Sequence, residues 1–169
     1  MTVRATSLPA GSALAPLREW ATWTDCWEAP VTRMELSALE LHLAMMRLTP
    51  RWVDPLMDWR DRFARLAGLR PVGRFDAAAY PRTVTPGDRL GIFTVRAVTH
   101  AEIVMGDDDR HLDFRLSVSR YEAEGPKVAV AMVLKTHNRL GRLYMLAVGP
   151  IHKIIVRSML TRAVARGVI

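Results

Sequence analysis

From Arg89 to His137 the chain keeps a two-residue period. Four stretches carry it: "RLGIFTVRAVTH", "AEIVMG", "RHLDFRLSVSRYE" and "PKVAVAMVLKTH". Side chains alternate across a strand, so this period predicts strands lying in a sheet. The joins are short and carry turn residues, at Thr99-His100, Gly106 to Asp109 and Ala123 to Pro126. Short joins pair neighbours antiparallel, and the expected result is a meander. The fourth stretch is apolar on both sides and belongs in the centre of the sheet.

Upstream, the period changes to that of a helix. In "SALELHLAMMRLTP" Ser37 is placed to cap, with Glu40 three residues on, as a capping box requires. Leu39, Leu43 and Met46 form an apolar stripe, and Pro50 follows the end. A second helix opens at Asp54 with Pro55 at its first position. Leu56, Trp59, Phe63 and Leu66 give its apolar face, and Asp58–Arg62 and Asp61–Arg65 are spaced as ion pairs on the solvent side. Gly68 is placed to close it. Residues 1–16 read as a loose segment. Arg18 to Val31, with Trp20, Trp23 and Trp27, reads as a strand, and Leu69 to Asp88 as a long surface loop or flap.

Two readings fit the C-terminal part. One is a strand over Leu140 to Val148 followed by a helix from Gly149. The other, which the 3–4 spacing of Leu140, Tyr144, Ala147, Ile151, Ile154 and Ser158 favours, is one helix over Arg139 to Arg166, bent near Pro150. Its outer face carries Lys153, Arg157 and Arg162.

Helices and strands are therefore segregated, and the fold class is α+β. An antiparallel sheet has a face to cover, and the C-terminal helix is the large amphipathic element left to cover it. A curved sheet wrapped round one long helix is a helix grip, with a cavity expected between the two. The short side chains of Ala129, Ala131 and Val133 would leave room beneath the helix.

Composition narrows the function classes. A chain of 169 residues can bury roughly 70% of its unfolded surface in one core, so a single domain over 1–169 is expected. No apolar run approaches the roughly 20 residues of a membrane span, and no integral membrane segment is expected. Pro9, Gly11 and Ser12 interrupt what would be the apolar core of a signal peptide. The single cysteine, Cys26, cannot pair within the chain, which fits a reducing cytoplasm. The net charge of +7 invites a nucleic-acid reading. However, the arginines are spread and interleaved with acids, as in "DWRDRFAR", so no nucleic-acid partner is expected. A homodimer is compatible with the sequence.

The most chemical-looking stretch is "MGDDDRHLDFRLSV". Consecutive carboxylates on an extended chain point to opposite sides, so Asp107, Asp108 and Asp109 cannot converge on one ion. Aspartate and glycine suit a tight hairpin turn, and that is the expectation, with no metal site. Beyond it, His111, Asp113 and Arg115 share one strand face, which meets either water or a pocket. His137 and Asn138 enter the turn before the last helix. Tyr144 and His152 lie eight apart on it and roughly face the same way. These seven residues are the candidate ligand-binding groups, and the same histidines, Asp113 and Tyr144 are the acid/base candidates.

The segments "HLDFRLSV", "KTHNRLGRLYMLAVGPIHKIIVRSML" and "TPRWVDPLMDWRDRFARLAGLRP" together resemble a bacterial domain family of unknown function. The resemblance implies a START-like, polyketide cyclase-like helix-grip fold. Some members of that family are fused to NAD-binding domains of the short-chain dehydrogenase type. This chain has no Gly-x-Gly-x-x-Gly, so the resemblance brings no cofactor here. The expected function is binding of a small apolar or amphipathic ligand between sheet and helix. The alternative is a cyclase- or hydratase-like enzyme working with acid/base groups in the same cavity.

Overall fold

A computed structural model describes residues 2–66 and 81–169. The expected Gly68 cap, most of the expected loop, and the side chains of Phe63 and Leu66 lie outside the described residues. Seven strands form one curved, wholly antiparallel sheet: β1 (Arg4–Ala5), β2 (Trp23–Pro30), β3 (Arg89–Leu90), β4 (Phe93–Val98), β5 (Glu102–Asp108), β6 (Leu112–Glu122) and β7 (Pro126–Thr136). Their spatial order is β1-β2-β7-β6-β5-β4-β3. The helices are α1 (Ala38–Met46), α2 (Val53–Leu66) and α3 (Arg139–Ala165). The α+β helix-grip arrangement expected from the element order is the one observed.

The central strand is β7, paired with β6 over its whole length and with β2 on its other side. Its two faces meet different partners. Val128, Val130 and Met132 face α1 and α3, in the core with Leu41, Met45, Val156 and Leu160. Ala129, Ala131 and Val133 face the other way, onto Leu14, Cys26 and Val104. The small side chains of β7 thus leave no room beneath α3, contrary to expectation. They let the N-terminal segment approach the sheet instead. That segment is not loose. β1 pairs with the edge of β2, and Leu8, Leu14, Leu17 and Trp20 then cross the outer face. Glu102 pins it from below, accepting from Ser12 Oγ at 2.6 Å and from the Ala13 backbone N–H at 2.8 Å.

Local chemistry accounts for the departures elsewhere. The first expected strand is two: Gly91, at φ +60°, and Ile92 make a tight turn, and Leu90 pairs with Phe93. Register then shifts between Val95 and Ala97, a bulge at Arg96 that sends its Nε to the Gly106 carbonyl at 3.0 Å. The expected turn at Gly106 to Asp109 begins later, because β5 runs on to Asp108, opposite Asp113. Gly106 lies within the strand, where a Cβ would sit 2.1 Å from the Phe114 carbonyl oxygen. Asp107 and Asp108 diverge as consecutive strand residues must: Asp107 goes to Arg89 and Thr94, Asp108 to Arg96 and Arg115.

In α1 the Ser37–Glu40 capping box forms as expected. The helix is buried on most of its circumference, not on a stripe alone. α2 is turned relative to expectation: Trp59 is 66% exposed and the Asp61 carboxylate is buried, accepting from Arg60 Nη1 at 2.9 Å. α3 runs unbroken through Pro150, so the rival strand over 140–148 is excluded. Asn138 caps it, its Oδ1 accepting from the Gly141 N–H at 3.0 Å. By length and composition alone α3 could cross a membrane, which the run of apolar residues did not suggest. Its inward spine, Gly141, Met145, Gly149, Val156, Leu160 and Ala163, is buried in the fold, but only 22% of its most apolar 18 residues are, and Leu143, Leu146 and Ile154 are exposed.

Candidate functional site

Four of the expected site residues gather at one end of the sheet, where the β5–β6 turn meets the entry to α3. The His111 carbonyl accepts the His137 N–H at 2.9 Å. The His111 ring is buried. Its Nε2 accepts from Arg110 Nε at 2.7 Å, and its Nδ1 lies against the Asn138 amide, 3.3 Å from Oδ1. Asn138 Nδ2 lies closer to that Nδ1, at 2.9 Å, and donates to the Arg110 carbonyl at 3.2 Å. His137 Nε2 is 3.0 Å from Asp113 Oδ2, while the other Asp113 oxygen accepts the Asp109 N–H at 3.2 Å. Each of these groups ties one turn to another. Together they fix the angle at which α3 leaves the sheet.

The others lie apart. Arg115, on the face away from α3, donates to Asp108 at 2.5 Å and to the Phe114 carbonyl at 2.8 Å. With its neighbour Arg96 it holds the Asp108 carboxyl below the usual carboxylate range, the Arg115 hydrogen bond contributing most. The Tyr144 hydroxyl accepts from Arg60 Nε of α2 at 2.7 Å. His152 faces β2, so Tyr144 and His152 do not converge.

His152 leads to a residue the sequence reading passed over. In "WTDCW" the period of β2 sets Trp23, Asp25 and Trp27 on the face beneath α3. The Asp25 carboxylate is buried there, and the Trp27 indole N–H lies 3.1 Å from both its oxygens. His152 Nδ1 is 3.5 Å from Asp25 Oδ2, within ion-pair range. The geometry is too poor for a hydrogen bond, so Nδ1 stays enclosed and unpartnered. The ring stands edge-on to Trp23, centroids 5.8 Å apart. A buried carboxylate behind one ring nitrogen of a histidine is the arrangement that orients an imidazole for proton transfer.

Beside this pair opens a cleft of about 580 Å³. Thr22, Trp23 and Thr136, from the strand ends, form one wall. Arg142, Met145, Leu146, Gly149, Pro150 and Lys153 form the other, one face of α3 at helical spacing. Gly149 lets the helix settle on the Trp23 indole; a Cβ there would be 3.4 Å from Nε1. The Lys153 ammonium lies over the Trp23 ring, 5.9 Å from its centroid. None of the residues gathered at the sheet end lines this cleft.

A second buried polar cluster occupies the outer face. Glu28 accepts from Arg4 Nε at 2.5 Å, from Lys127 Nζ at 3.2 Å and from the Tyr121 hydroxyl. Burial alone would raise its carboxyl, but these donors outweigh it and hold it below the usual value. Cys26, next to it, is buried and its thiol is pushed up to about 12, by burial first and then by Asp25 and Glu28. It is inert as a nucleophile at neutral pH.

No curated protein and no solved structure matches the chain. A family model does, over residues 18–159, from the β2 approach to the last turns of α3. It takes in β2, β4 to β7, the Asp25–His152 pair and the whole cleft wall. With most of its length so matched, the chain belongs to the family described as Protein of unknown function (DUF2867).

Proposed function

We propose that the chain is a single START-like domain that binds a small apolar or amphipathic ligand in the cleft between sheet and α3. The cleft itself carries this reading. Its volume of about 580 Å³ lies inside the range of roughly 300–1,000 Å³ typical of small-molecule sites. Its lining is mostly apolar, with Trp23, Met145, Leu146, Gly149 and Pro150, and its polar groups are Thr22, Thr136, Arg142 and Lys153. Leu146 on the open wall is 75% exposed, an apolar side chain a bound ligand would cover. A buried, unpaired Cys26 suits a reducing, cytoplasmic setting.

The test is displacement of a neutral environment-sensitive dye such as Nile red by aliphatic ligands. Leu146→Glu is expected to weaken dye and ligand binding at least tenfold, because it sets a charge on the apolar wall at a position that contributes little to folding. Equal binding by the wild type and this variant would place the ligand elsewhere.

A second reading, an acid/base enzyme of cyclase or hydratase type, is favoured by the Asp25–His152 pair, which touches the cleft only through Trp23 and does not itself line it. Here His152 would move the proton and Asp25 would orient it.

A further inference from the structure

We infer that the ligand of this cleft is a single-chain amphiphile with an anionic head group. The inference rests on the ligand-binding reading above and narrows its substrate class. The cleft wall on α3 is bounded by a cation at each end, Arg142 and Lys153. They are eleven residues apart, about 16 Å at 1.5 Å per residue, and the apolar residues between them, Met145, Leu146, Gly149 and Pro150, cover about 8 Å of that length.

The charges around it have one sign. No carboxylate lines the cleft. Among the described residues, neither Arg142 nor Lys153 has an ion-pair partner. Lys153 rests over the Trp23 ring, which holds its ammonium at the groove without neutralising it. Asp25 lies beneath α3, outside the cleft lining, and is engaged by the Trp27 indole. The strand wall adds the Thr22 and Thr136 hydroxyls, 3.3 Å apart, one of which already donates to the Leu134 carbonyl. A neutral ligand would leave two cations unmatched at the rim, and a cationic one would meet like charge. An anionic head at either end, with its chain lying along the groove, satisfies both the charge and the apolar floor.

The experiment uses the full chain and three probes of equal chain length: dodecanoate, dodecanol and dodecyltrimethylammonium. Each displaces Nile red below its aggregation concentration. Dodecanoate is expected to bind at least tenfold more tightly than dodecanol, with dodecyltrimethylammonium weakest. The preference should shrink as salt is raised. In the double variant Arg142→Gln/Lys153→Gln, dodecanoate should lose its advantage over dodecanol. Both positions are exposed, and an unchanged far-ultraviolet circular dichroism spectrum is the check on folding. Dodecanoate and dodecanol binding within twofold of each other, or a preference that survives the double substitution, overturns the anionic head while leaving the cleft as a ligand site. Failure of all three to displace the dye overturns the ligand reading, and the inference with it.

Discussion

At the scale of single residues, His42 has the most to say about stability. It sits in α1, buried with the core leucines, and its Nε2 has no hydrogen-bond partner among the described residues. Burial pushes its pKa down to about 4 from an ordinary value of 6.5. The folded state therefore holds His42 neutral over a range in which the unfolded chain protonates it. Between those two values the unfolded state binds more protons, so stability falls as pH drops from 6.5 towards 4, by about 3 kcal/mol in total. Above 6.5 both states are neutral and the group contributes no pH dependence. Urea denaturation of His42→Leu at pH 7, 6, 5 and 4.5 should show a flatter profile than the wild type, with stability at pH 7 equal or higher. Parallel profiles would mean that the imidazole finds a partner when it is charged. The same scale shows why Asp25 escaped the sequence reading. One aspartate between two tryptophans is a surface residue unless something covers it. What covers it is His152 in α3, 127 positions along the chain, and no local pattern announces that meeting.

At the scale of elements, α3 depends on two glycines that do different things. Gly141 brings its first turn against the His111 carbonyl: a Cβ would lie 2.3 Å from that oxygen, and backbone cannot step aside. Gly149 rests on the Trp23 ring with a Cβ distance of 3.4 Å, an ordinary contact. Alanine favours a helix over glycine by about 1 kcal/mol. Gly149→Ala should therefore be neutral or slightly stabilising. Gly141→Ala should cost about 1–3 kcal/mol net, since overpacking outweighs propensity. Chemical denaturation of the two variants side by side tests this, and equal effects would show that the β5–β6 turn gives way. Much of this element was legible. The 3–4 spacing of α3 survives Pro150, and Asn138 stands where a cap is wanted. The capping box of α1 was equally legible, because Ser37 and Glu40 act within a single turn. The face of α2 was not, because Asp61 is buried and Trp59 exposed, the reverse of what their polarity suggests. Nor was the break at Gly91-Ile92, where two strands share one unbroken alternation. Among the candidate site residues, the pattern named His111 and Asp113 on a strand face and His137 and Asn138 in the turn before the last helix, without bringing the two pairs together. It could not tell groups that hold turns together from groups that face a cleft, because both look polar at the same spacing.

At the scale of the whole molecule, the sheet has two covered faces, and the two covers differ in kind. α1 and α3 cover one with regular, periodic elements. Residues 6–21 cover the other with irregular chain, anchored by one short 3-10 turn at Ala15–Leu17 and by Glu102. Irregular chain has no period, so only the doubly apolar character of β7 hinted that a second layer was needed. Leu14 is the centre of that layer: it is fully buried against Cys26, Ala129 and Ala131. Small residues on the strand and a large one on the segment fit together as one packed interface, so the segment carries its share of the core. Leu14→Ala should accordingly cost about 2–5 kcal/mol, as for any fully enclosed leucine. A segment merely draped on a finished sheet would lose far less, because it could lift off locally and leave the rest folded. Urea unfolding followed both by circular dichroism and by tryptophan fluorescence separates the two. Coincident transitions shifted to lower urea place the segment inside the cooperative unit. A circular dichroism midpoint unchanged by Leu14→Ala would show that the helix grip stands without its outer cover.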